Sequence, residues 1–264
     1  MKISIITICY NNEKDIIRTI ESVINQTHPD IEYIIVDGGS KDSTMKIVEK
    51  YKIHISKIIS EPDHGIYDAI NKGIKTATGD IIGLIHAGDY LYNNEVIRKI
   101  NDHFENNPED EAIYGHAIAI NSKKKIVRID KSPPFSKSLF KRGWFLPHES
   151  FYAKRYLFKK YGLYNLKYKI AADYELILRF LYFNNVKVNL LNDYIFYFSI
   201  GGTSSKNIRN IIKQNIECVD AWRFNGKCIP FYTIPLKIIR KTPLFLKGFF
   251  YRIKKINKRP DLSL

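Results

Sequence analysis

Three aspartates in the first third of the chain are the clearest candidates for chemistry. Asp37, Asp63 and Asp89 each follow an apolar segment, and Asp37 and Asp89 lie beside glycines. Glycine lets the backbone approach a ligand closely. A carboxylate at such a position can accept hydrogen bonds from a ribose hydroxyl or a base N–H. It can also hold Mg²⁺ or Mn²⁺ against a diphosphate, because these cations prefer oxygen ligands.

Each of these aspartates also has an ordinary structural interpretation. Asp37 can cap the helix that follows it, although Ser40 and Asp42 lie nearer the start of that helix and can do so instead. We therefore favour a functional role for Asp37. Asp89 taken alone is more typical of a turn, and Asp63 is suited to be the N-cap of the next helix.

The elements around these residues indicate a parallel sheet. Apolar, β-branched runs alternate with helical patterns, and Asn11 and Asn12 can cap the first helix. The predicted strands are Ile3–Ile8, Ile31–Val36, Ile55–Ile59 and Asp80–Ile85. Right-handed crossovers make such strands parallel, and parallel sheets bind ligands beyond the carboxyl ends of their strands. Thr7–Asn12 and the three aspartates should therefore lie along one edge of the sheet.

The helix predicted after Asp63 continues this edge with a polar face. Asp68 and Asn71 are three residues apart and Lys72 is adjacent, so these side chains share one side of the helix. A polar helix face is usually just solvated. This one begins where the ligand is expected.

The second half of the chain changes pattern. Predicted strands and helices are joined by the aromatic segment Trp144–Tyr152, and Gly201–Gly202 ends the last strand. The strands are Ala112–Ile120, Lys125–Ile129 and Val186–Phe198, and the helices are Ala171–Tyr182 and Asn207–Trp222. Pro230 and Pro235 mark the one plausible boundary. We expect a domain over residues 1–229 and a basic, amphipathic extension over residues 230–264.

Several motifs in order resemble family 2 glycosyltransferases. They are Thr7-x-x-Tyr10-Asn11, Val36-Asp37-Gly38-Gly39-Ser40-x-Asp42-x-Thr44, Glu61-x-Asp63-x-Gly65-Ile66-Tyr67-Asp68-Ala69-x-Asn71-x-Gly73 and Ala77-x-Gly79-Asp80. The later motifs are similar to the subgroup that builds bacterial surface polysaccharides. The resemblance covers roughly residues 1 to 205. It implies the GT-A fold, a Rossmann-like α/β architecture with a mainly parallel sheet flanked by helices.

The resemblance also implies roles at the donor side. Thr7, Tyr10 and Asp37 would hold the nucleoside, and Asp63 would lie near the base or sugar. The segment His86-Ala87-Gly88-Asp89 falls at the family's D-x-D-type metal motif. Asp89 is the main ligand expected for Mn²⁺ or Mg²⁺, and His86 departs from the commoner acidic or Asn residue. The remaining donor-side candidates are Asn11, Gly38, Tyr67, Asp68, Asn71, Lys72, Ala87 and Gly88.

At the acceptor side the resemblance assigns the general base to Asp173. Ala171-Ala172-Asp173-Tyr174-Glu175-Leu176 matches the helix that carries it. Glu175 is the rival base, and a capping role for Asp173 is the structural alternative. Pro147-His148-Glu149 resembles an acceptor-side loop, which implies that His148 contacts the sugar or the diphosphate. The alternative is that His148 is structural and packs in the core. Gly201–Ser205 is either a loop that closes over the diphosphate or a helix cap.

The net charge of +15 leaves several kinds of partner open. From Pro235 onward basic residues alternate with bulky apolar ones, which is typical of a helix in a membrane interface. The alternative is a helix packed on the domain with a solvated basic face. A nucleic-acid-binding protein would spread its basic residues along one groove, whereas here the tail concentrates them, so we expect no nucleic-acid partner.

The remaining composition indicates where the protein works. Three scattered cysteines suit a reducing compartment. Neither a secretory signal nor a membrane-spanning run is evident, so we expect a cytoplasmic protein on the inner face of the cell membrane. The predicted reaction moves a hexose or N-acetylhexosamine, with inversion, from a UDP-sugar to a glycan or lipid-diphosphate-linked acceptor. The enzymatic rival is a nucleotidyltransferase, which should carry a Gly- and Lys/Arg-rich loop where Tyr10-Asn11-Asn12 stands.

Overall fold

The computed structural model describes residues 1–200 and 208–240. Its first part alternates strands and helices, as the apolar pattern predicts. In chain order these are β1 (Ile3–Cys9), α1 (Ile16–Ile24), β2 (Ile31–Asp37), α2 (Thr44–Lys50), β3 (Lys57–Ser60), α3 (Ile66–Thr76), β4 (Ile81–Leu84), β5 (Tyr90–Leu91) and α4 (Val96–Asn106). A single 3₁₀ turn, Lys52–His54, precedes β3.

The second part has longer strands and shorter helices. Its elements are β6 (Ala112–Ile120), β7 (Ile126–Asp130), α5 (Lys137–Lys141), β8 (Tyr152–Lys154), α6 (Tyr156–Tyr161), α7 (Ala172–Leu178), β9 (Val188–Ser199) and α8 (Ile208–Phe224). A 3₁₀ turn, His148–Ser150, lies before β8, and a π-helical turn, Arg179–Phe183, extends α7. Residues 233–240 are also helical.

The nine strands of the described residues form one sheet, in the order β3-β2-β1-β4-β8-β6-β9-β5, with β7 paired to β6. The four strands at the β3 end run parallel, and β1 lies between β2 and β4. Strand β8 is antiparallel to both β4 and β6. Strand β5 is antiparallel to β9, and β7 is antiparallel to β6, whereas β6 and β9 are parallel. The sheet is therefore mixed, and its parallel part places the loops after β1, β2 and β4 at one edge.

Helices cover both faces of the sheet, because successive residues of a strand point to opposite sides. Ile6 and Ile34 pack with α3 and α7 on one face. Ile5 and Ile35 pack with α1 and α4 on the other. Every residue of β1 is consequently buried.

Several sequence predictions need correction at this level. Helix α1 begins only at Ile16, and no side chain caps it; the Asn12 carbonyl, not its side chain, accepts the Ile16 N–H. The helix predicted over Ala171–Tyr182 is an α-helix followed by a wider π turn. The glycines of Gly201–Ser205 and the chain from residue 241 onward lie outside the described residues.

The described part of the predicted extension packs on the domain. Thr233 is buried, and its hydroxyl donates to the Lys141 carbonyl at 2.6 Å. Lys237 lies 3.2 Å from the sulfur of Cys218 on α8. Within residues 1–200 and 208–240, no helix has the length and apolar content needed to span a bilayer.

Candidate active site

Asp37, at the end of β2, holds its own loop together. Its fully buried carboxylate accepts the N–H groups of Gly39 at 3.1 Å and Ser40 at 3.0 Å. The hydroxyls of Ser40 and Ser60 also donate to it, the latter at 2.8 Å. Asp42 accepts the Thr44 N–H at 2.9 Å at the start of α2, so Asp37 is not needed there. The sequence analysis expected this to leave Asp37 free for a ligand, but the bonds within its own loop engage it instead. Both oxygens of Asp37 have partners within the protein, so the carboxylate stabilises the loop that was predicted to hold the nucleoside.

The structure also changes the interpretation of Thr7. The side chain is fully buried inside β1, where its hydroxyl accepts a bond from the Tyr33 hydroxyl at 3.1 Å. The predicted side-chain contact between Thr7 and a nucleoside is therefore not available in this structure. The sequence could not show this, because a strand buried on both faces has no exposed register.

The loop after β1 is fixed to the loop after β2. The Asn11 N–H donates to the Ser40 hydroxyl and the Lys41 N–H donates to the Asn11 side chain, both at 2.8 Å. Asn11 has a φ of 51°, a left-handed conformation that asparagine tolerates better than most residues. These bonds leave Tyr10 57% exposed at the edge of the sheet. A rigid loop with an exposed aromatic ring is suited to a flat, hydrogen-bonding ligand.

Asp63 completes this corner of the molecule. One carboxylate oxygen accepts the Gly65 N–H at 2.8 Å. The other lies where a side chain at position 38 would be, so even a Cβ on Gly38 would overlap with it. The Tyr10 ring is 3.5 Å from the same point. The structure thus brings Tyr10, Gly38 and Asp63 together, and a side chain at position 38 would displace the Asp63 carboxylate.

The polar residues of α3 divide into surface and structural groups. Lys72 forms an ion pair with Glu61 at 2.8 Å, and Asp68 accepts the His64 N–H at 3.1 Å. Asn71 is a correction, because its buried amide exchanges two bonds with the Tyr164 backbone, at 2.8 and 3.0 Å. Asn71 therefore joins α3 to the second half of the chain, with both its amide nitrogen and its amide oxygen bonded there.

Beyond β4, Asp89 and Glu149 form a pair of neighbouring carboxyl groups. Asp89 accepts the Ser199 N–H at 3.0 Å, and Glu149 accepts the His86 N–H at 2.9 Å. Burial, followed by the charge of Glu149, raises the pKa of Asp89 well above its ordinary value. Burial also raises the pKa of Glu149 to about 7. Two neighbouring acids, of which Glu149 is buried and Asp89 is partly exposed, are stabilised by a shared proton or by a cation between them.

The segment between the two carboxyl groups is shaped by backbone contacts. Ala87 donates its N–H to the Ile8 carbonyl at 3.1 Å, and Gly88 donates to the Thr19 hydroxyl at 3.0 Å. Gly88 has a φ of 102°, which only glycine adopts easily. Ala87 and Gly88 therefore place Asp89 by conformation, with no side chain of their own to offer.

Two histidines connect this acid pair to Asp173. The Nε2 atoms of His86 and His148 are 2.8 Å apart, and His148 Nδ1 is 3.6 Å from the Asp173 carboxylate. Burial lowers the pKa of each imidazole to about 4, so both are neutral near pH 7. His86 Nδ1 is buried and has no hydrogen-bond partner within the described chain. The cluster therefore has an unsatisfied nitrogen beside its acids.

Asp173 itself lies in the first turn of α7 and faces the cluster. The Tyr67 hydroxyl is 3.1 Å from its Oδ1 and 2.9 Å from the Ile170 carbonyl. Glu175, the rival base, is fully buried and paired with Arg179 at 2.8 Å, so it points into the core. Of these two acids, Asp173 is the one that faces the histidines.

Sequence reasoning missed the residue that anchors the Asp173 helix. Glu217, on α8, accepts the N–H groups of Lys169, Ile170 and Ala171 at 3.1, 2.8 and 2.8 Å. These donors lie at the N-cap of α7, Ala171, and in the two residues before it, and a carboxylate also suits the positive end of the helix dipole. No local motif signals such a contact, because the acid is contributed from more than 40 residues further along the chain.

The donor set fits a divalent cation. Ligand atoms of His86, His148 and Glu149 lie within 4.8 Å of one another, and Asp89 adjoins Glu149. Carboxylates suit Mg²⁺ and Mn²⁺ alike, whereas imidazole nitrogen favours a transition-metal ion. The residues present therefore suit Mn²⁺ better than Mg²⁺.

Comparisons with known proteins agree with this geometry. Residues 4–164 match the family described as "Glycosyl transferase family 2". A "PGL/p-HBAD biosynthesis glycosyltransferase" of Mycobacterium tuberculosis is 29% identical over 163 residues, which cover 61% of this chain and 62% of that protein. The match thus spans less than two thirds of that relative's length.

Two solved structures share the fold at low sequence identity. S. aureus TarS 1–349 in complex with UDP-GlcNAc has a TM-score of 0.65 and 19% identity, with 85% of this chain and 65% of that one covered. The mannosyltransferase PcManGT from Pyrobaculum calidifontis, in complex with GDP-Man and Mn²⁺, has a TM-score of 0.66 and 15% identity, with 89% and 68% covered. With the family match over more than half of its length, this chain belongs to family 2 of the glycosyltransferases and has the GT-A fold.

Proposed function

We propose that this protein is an inverting glycosyltransferase that moves a hexose or N-acetylhexosamine from a UDP-sugar to a hydroxyl group of its acceptor. The observation that carries the proposal is the position of Asp173. It faces the same cluster as Asp89 and Glu149 but is separated from them by the pair His86 and His148. A base on one side and a diphosphate-binding group on the other is the arrangement that a single displacement at the anomeric carbon requires.

Asp173 is the proposed general base. Inversion needs the acceptor hydroxyl to be deprotonated on the face opposite the leaving diphosphate. The Tyr67 hydroxyl bonds to one carboxylate oxygen at 3.1 Å and fixes its orientation. The other oxygen, 3.6 Å from neutral His148, is the one available to accept the proton.

Asp89 and Glu149 are the proposed holders of a divalent cation, Mn²⁺ or Mg²⁺, with His86 and His148 nearby. Such an ion supplies positive charge at the leaving diphosphate. Glu149 is buried, Asp89 is partly exposed and the two carboxyl groups are adjacent, so a bound ion would compensate the charge that raises both pKa values. The bond from the Ser199 N–H keeps Asp89 in place.

Tyr10, Gly38 and Asp63 are the proposed nucleoside corner. Tyr10 can stack on the base, and the Asp63 oxygen above Gly38 can accept a bond from the base or ribose. Asn11, Asp68 and Lys72 lie on the loop and the helix next to this corner and are the proposed further contacts to the donor. A nucleotide-sugar donor is supported by the solved structures of similar fold, which contain UDP-GlcNAc or GDP-Man.

The proposed acceptor is a growing glycan, or a lipid-diphosphate-linked sugar at the inner face of the cell membrane, in the synthesis of a surface polysaccharide. Support comes from the basic and apolar sequence after Pro235, which suits an acceptor presented at a lipid surface.

The test is a panel of α-linked UDP-sugars incubated with Mn²⁺ and simple glycoside acceptors. We expect acceptor-dependent UDP release and a β-linked product, identified from its anomeric proton coupling by NMR. An α-linked product would contradict inversion. Release of pyrophosphate from UTP and a sugar phosphate, without UDP release, would instead identify a nucleotidyltransferase.

A further inference from the structure

Helix α8 exposes a row of isoleucines. Ile208, Ile212 and Ile216 are 73%, 55% and 62% exposed. Residues four apart lie one above another on a helix, so these three side chains form one continuous apolar strip. We refer to them as the isoleucine face of α8. Single exposed isoleucines are common, but a strip on one helix face indicates a surface that something covers.

The opposite side of α8 is firmly attached to the domain. Cys218, Ala221 and Trp222 are buried, and the Trp222 ring N–H donates to the Tyr174 hydroxyl at 2.8 Å. Glu217 holds the start of α7 through three backbone bonds. The isoleucine face is therefore presented on a fixed element, and the helix cannot turn it inward without losing these contacts.

Charge identifies the kind of partner. Arg209, Lys213 and Arg223 are exposed on α8 next to the isoleucines. The only acids on α8 are engaged elsewhere, Glu217 at α7 and Asp220 with Lys167 and Tyr168. From residue 208 to the end, the sequence has thirteen Lys and Arg against three Asp and Glu.

A surface that is apolar along its centre and strongly basic around it suits an anionic lipid bilayer. A second copy of the chain would bring like charges together, which opposes association. Nucleic acid would satisfy the basic residues but leave the isoleucines in contact with phosphate and water.

Helix α8 is also connected to the site, at its start and on its inner side. Asp89 accepts a bond from Ser199, and the chain from Ile200 to Ile208 can extend at most about 29 Å, at roughly 3.6 Å per residue. On its inner side, α8 holds the helix that carries Asp173. An acceptor that is anchored in a membrane against α8, with its sugar projecting from the lipid, would therefore approach the helix that carries Asp173.

We propose that the isoleucine face of α8, with Arg209 and Lys213, docks this protein on an anionic membrane surface. Docking itself is independent of the reaction; only its purpose, the delivery of a lipid-linked acceptor to Asp173, rests on the proposed function.

The test is co-sedimentation of the full chain with phosphatidylcholine vesicles, with and without phosphatidylglycerol. We expect binding to the anionic vesicles that weakens as salt rises. The variant I208S/I212S/I216S should bind them at least about tenfold more weakly, since buried methylene groups supply much of such binding. R209Q/K213Q should weaken binding by roughly fivefold per charge.

The matched control is I53S/I126S/I129S, which removes three exposed isoleucines from other elements without a change of charge. It should bind vesicles within twofold of the unaltered protein. The midpoint of thermal unfolding, measured without vesicles, should be unchanged in both variants, which shows that they are folded and keeps this test separate from that of the reaction.

Equal vesicle binding by I208S/I212S/I216S and the unaltered chain would overturn the proposal. So would an equal loss in the control variant. A dimer in light scattering that becomes a monomer in I208S/I212S/I216S, with vesicle binding intact, would show instead that the isoleucine face joins two copies of the chain.

Discussion

Asp37 and Asp173 are both acids at the ends of apolar segments, yet their surroundings suit opposite tasks. Asp37 receives bonds from Gly39, Ser40 and Ser60 and is fully buried. Asp173 keeps one oxygen facing neutral His148 across 3.6 Å. A carboxylate whose lone pairs are all occupied holds a loop, whereas one with a free oxygen at a polar cleft can take a proton.

Asp173→Asn removes the proposed base with almost no change in volume. We expect the transfer rate to fall by roughly 10²–10⁴-fold, the usual contribution of general base catalysis. The dissociation constant for UDP should stay within twofold, because the nucleoside corner is formed by other residues. Initial rates with saturating donor and calorimetric UDP titration measure the two effects.

Asp102→Asn is the matched control for this prediction. Asp102 lies on α4 and contacts Arg98 at 3.8 Å on the surface. It should retain full activity. A transfer rate for Asp173→Asn within tenfold of the unaltered enzyme would rule out Asp173 as the base.

At the scale of elements, Glu32 ties three segments together at the edge of the sheet opposite the site. It accepts bonds from the Ser4 hydroxyl on β1 at 2.5 Å, and from the N–H and hydroxyl of Thr78 at 2.7 and 2.6 Å. Lys2 lies 3.3 Å away. Burial alone would raise the pKa of Glu32, but the bonds from Ser4 and Thr78 outweigh it and lower the pKa from 4.5 to about 2.

Glu32→Gln should destabilise the protein by up to about 3 kcal/mol at pH 7, the equivalent of this shift. Between pH 4.5 and 2, Glu32 is protonated in the unfolded chain but stays ionised in the folded protein. The stabilisation is therefore complete above pH 4.5 and is lost as the pH falls towards 2. Urea unfolding should show that the difference in free energy of unfolding between the unaltered protein and Glu32→Gln decreases by about 1 kcal/mol from pH 7 to pH 3.5. A difference that stays constant would mean that Glu32 is not held ionised by these bonds.

The elements that sequence predicted well are those long enough to show a period. Strand β6 has the predicted bounds, Ala112–Ile120, because nine consecutive residues alternate or stay apolar. Strand β5 has two residues and β8 has three, which is too short to show a period, so both were missed. The short helices α5 and α6 were missed as well. These short pieces nevertheless make the sheet mixed, since β8 joins β4 to β6 antiparallel.

Side-chain direction was the other limit of the sequence. Motif position grouped Thr7 and Asn71 with the ligand-binding residues, but the fold directs both inward. Period alone cannot separate the two faces of a strand that is buried on both, nor can it tell a solvated helix position from one that meets a distant loop. Tyr10, Gly38 and Asp63 did converge, because the carboxyl ends of parallel strands must share an edge.

Over the whole molecule, the cluster forms where two halves of the chain meet. Tyr67 reaches Asp173 across 106 positions, Asp89 accepts from Ser199 across 110, and His86 bonds to Glu149 across 63. Local sequence predicts which residues each half contributes, but these pairings depend on how the halves pack. The cluster exists only when both are folded, so a ligand bound there should stabilise the entire domain.

Thermal unfolding with UDP and Mn²⁺ tests this coupling. At concentrations near 100 times the dissociation constant, binding should add about 2.7 kcal/mol to the free energy of unfolding and raise Tm by roughly 5–10 °C in one cooperative transition.

Asp89→Ala removes a carboxylate from the acid pair, so the part of the Tm shift that requires Mn²⁺ should disappear while a smaller Tm shift with UDP alone remains. Asp102→Ala, on the surface of α4, should respond like the unaltered protein. Two separate transitions, of which only one responds to ligand, would show that the halves fold independently; an undiminished Mn²⁺ response in Asp89→Ala would remove Asp89 from the metal site.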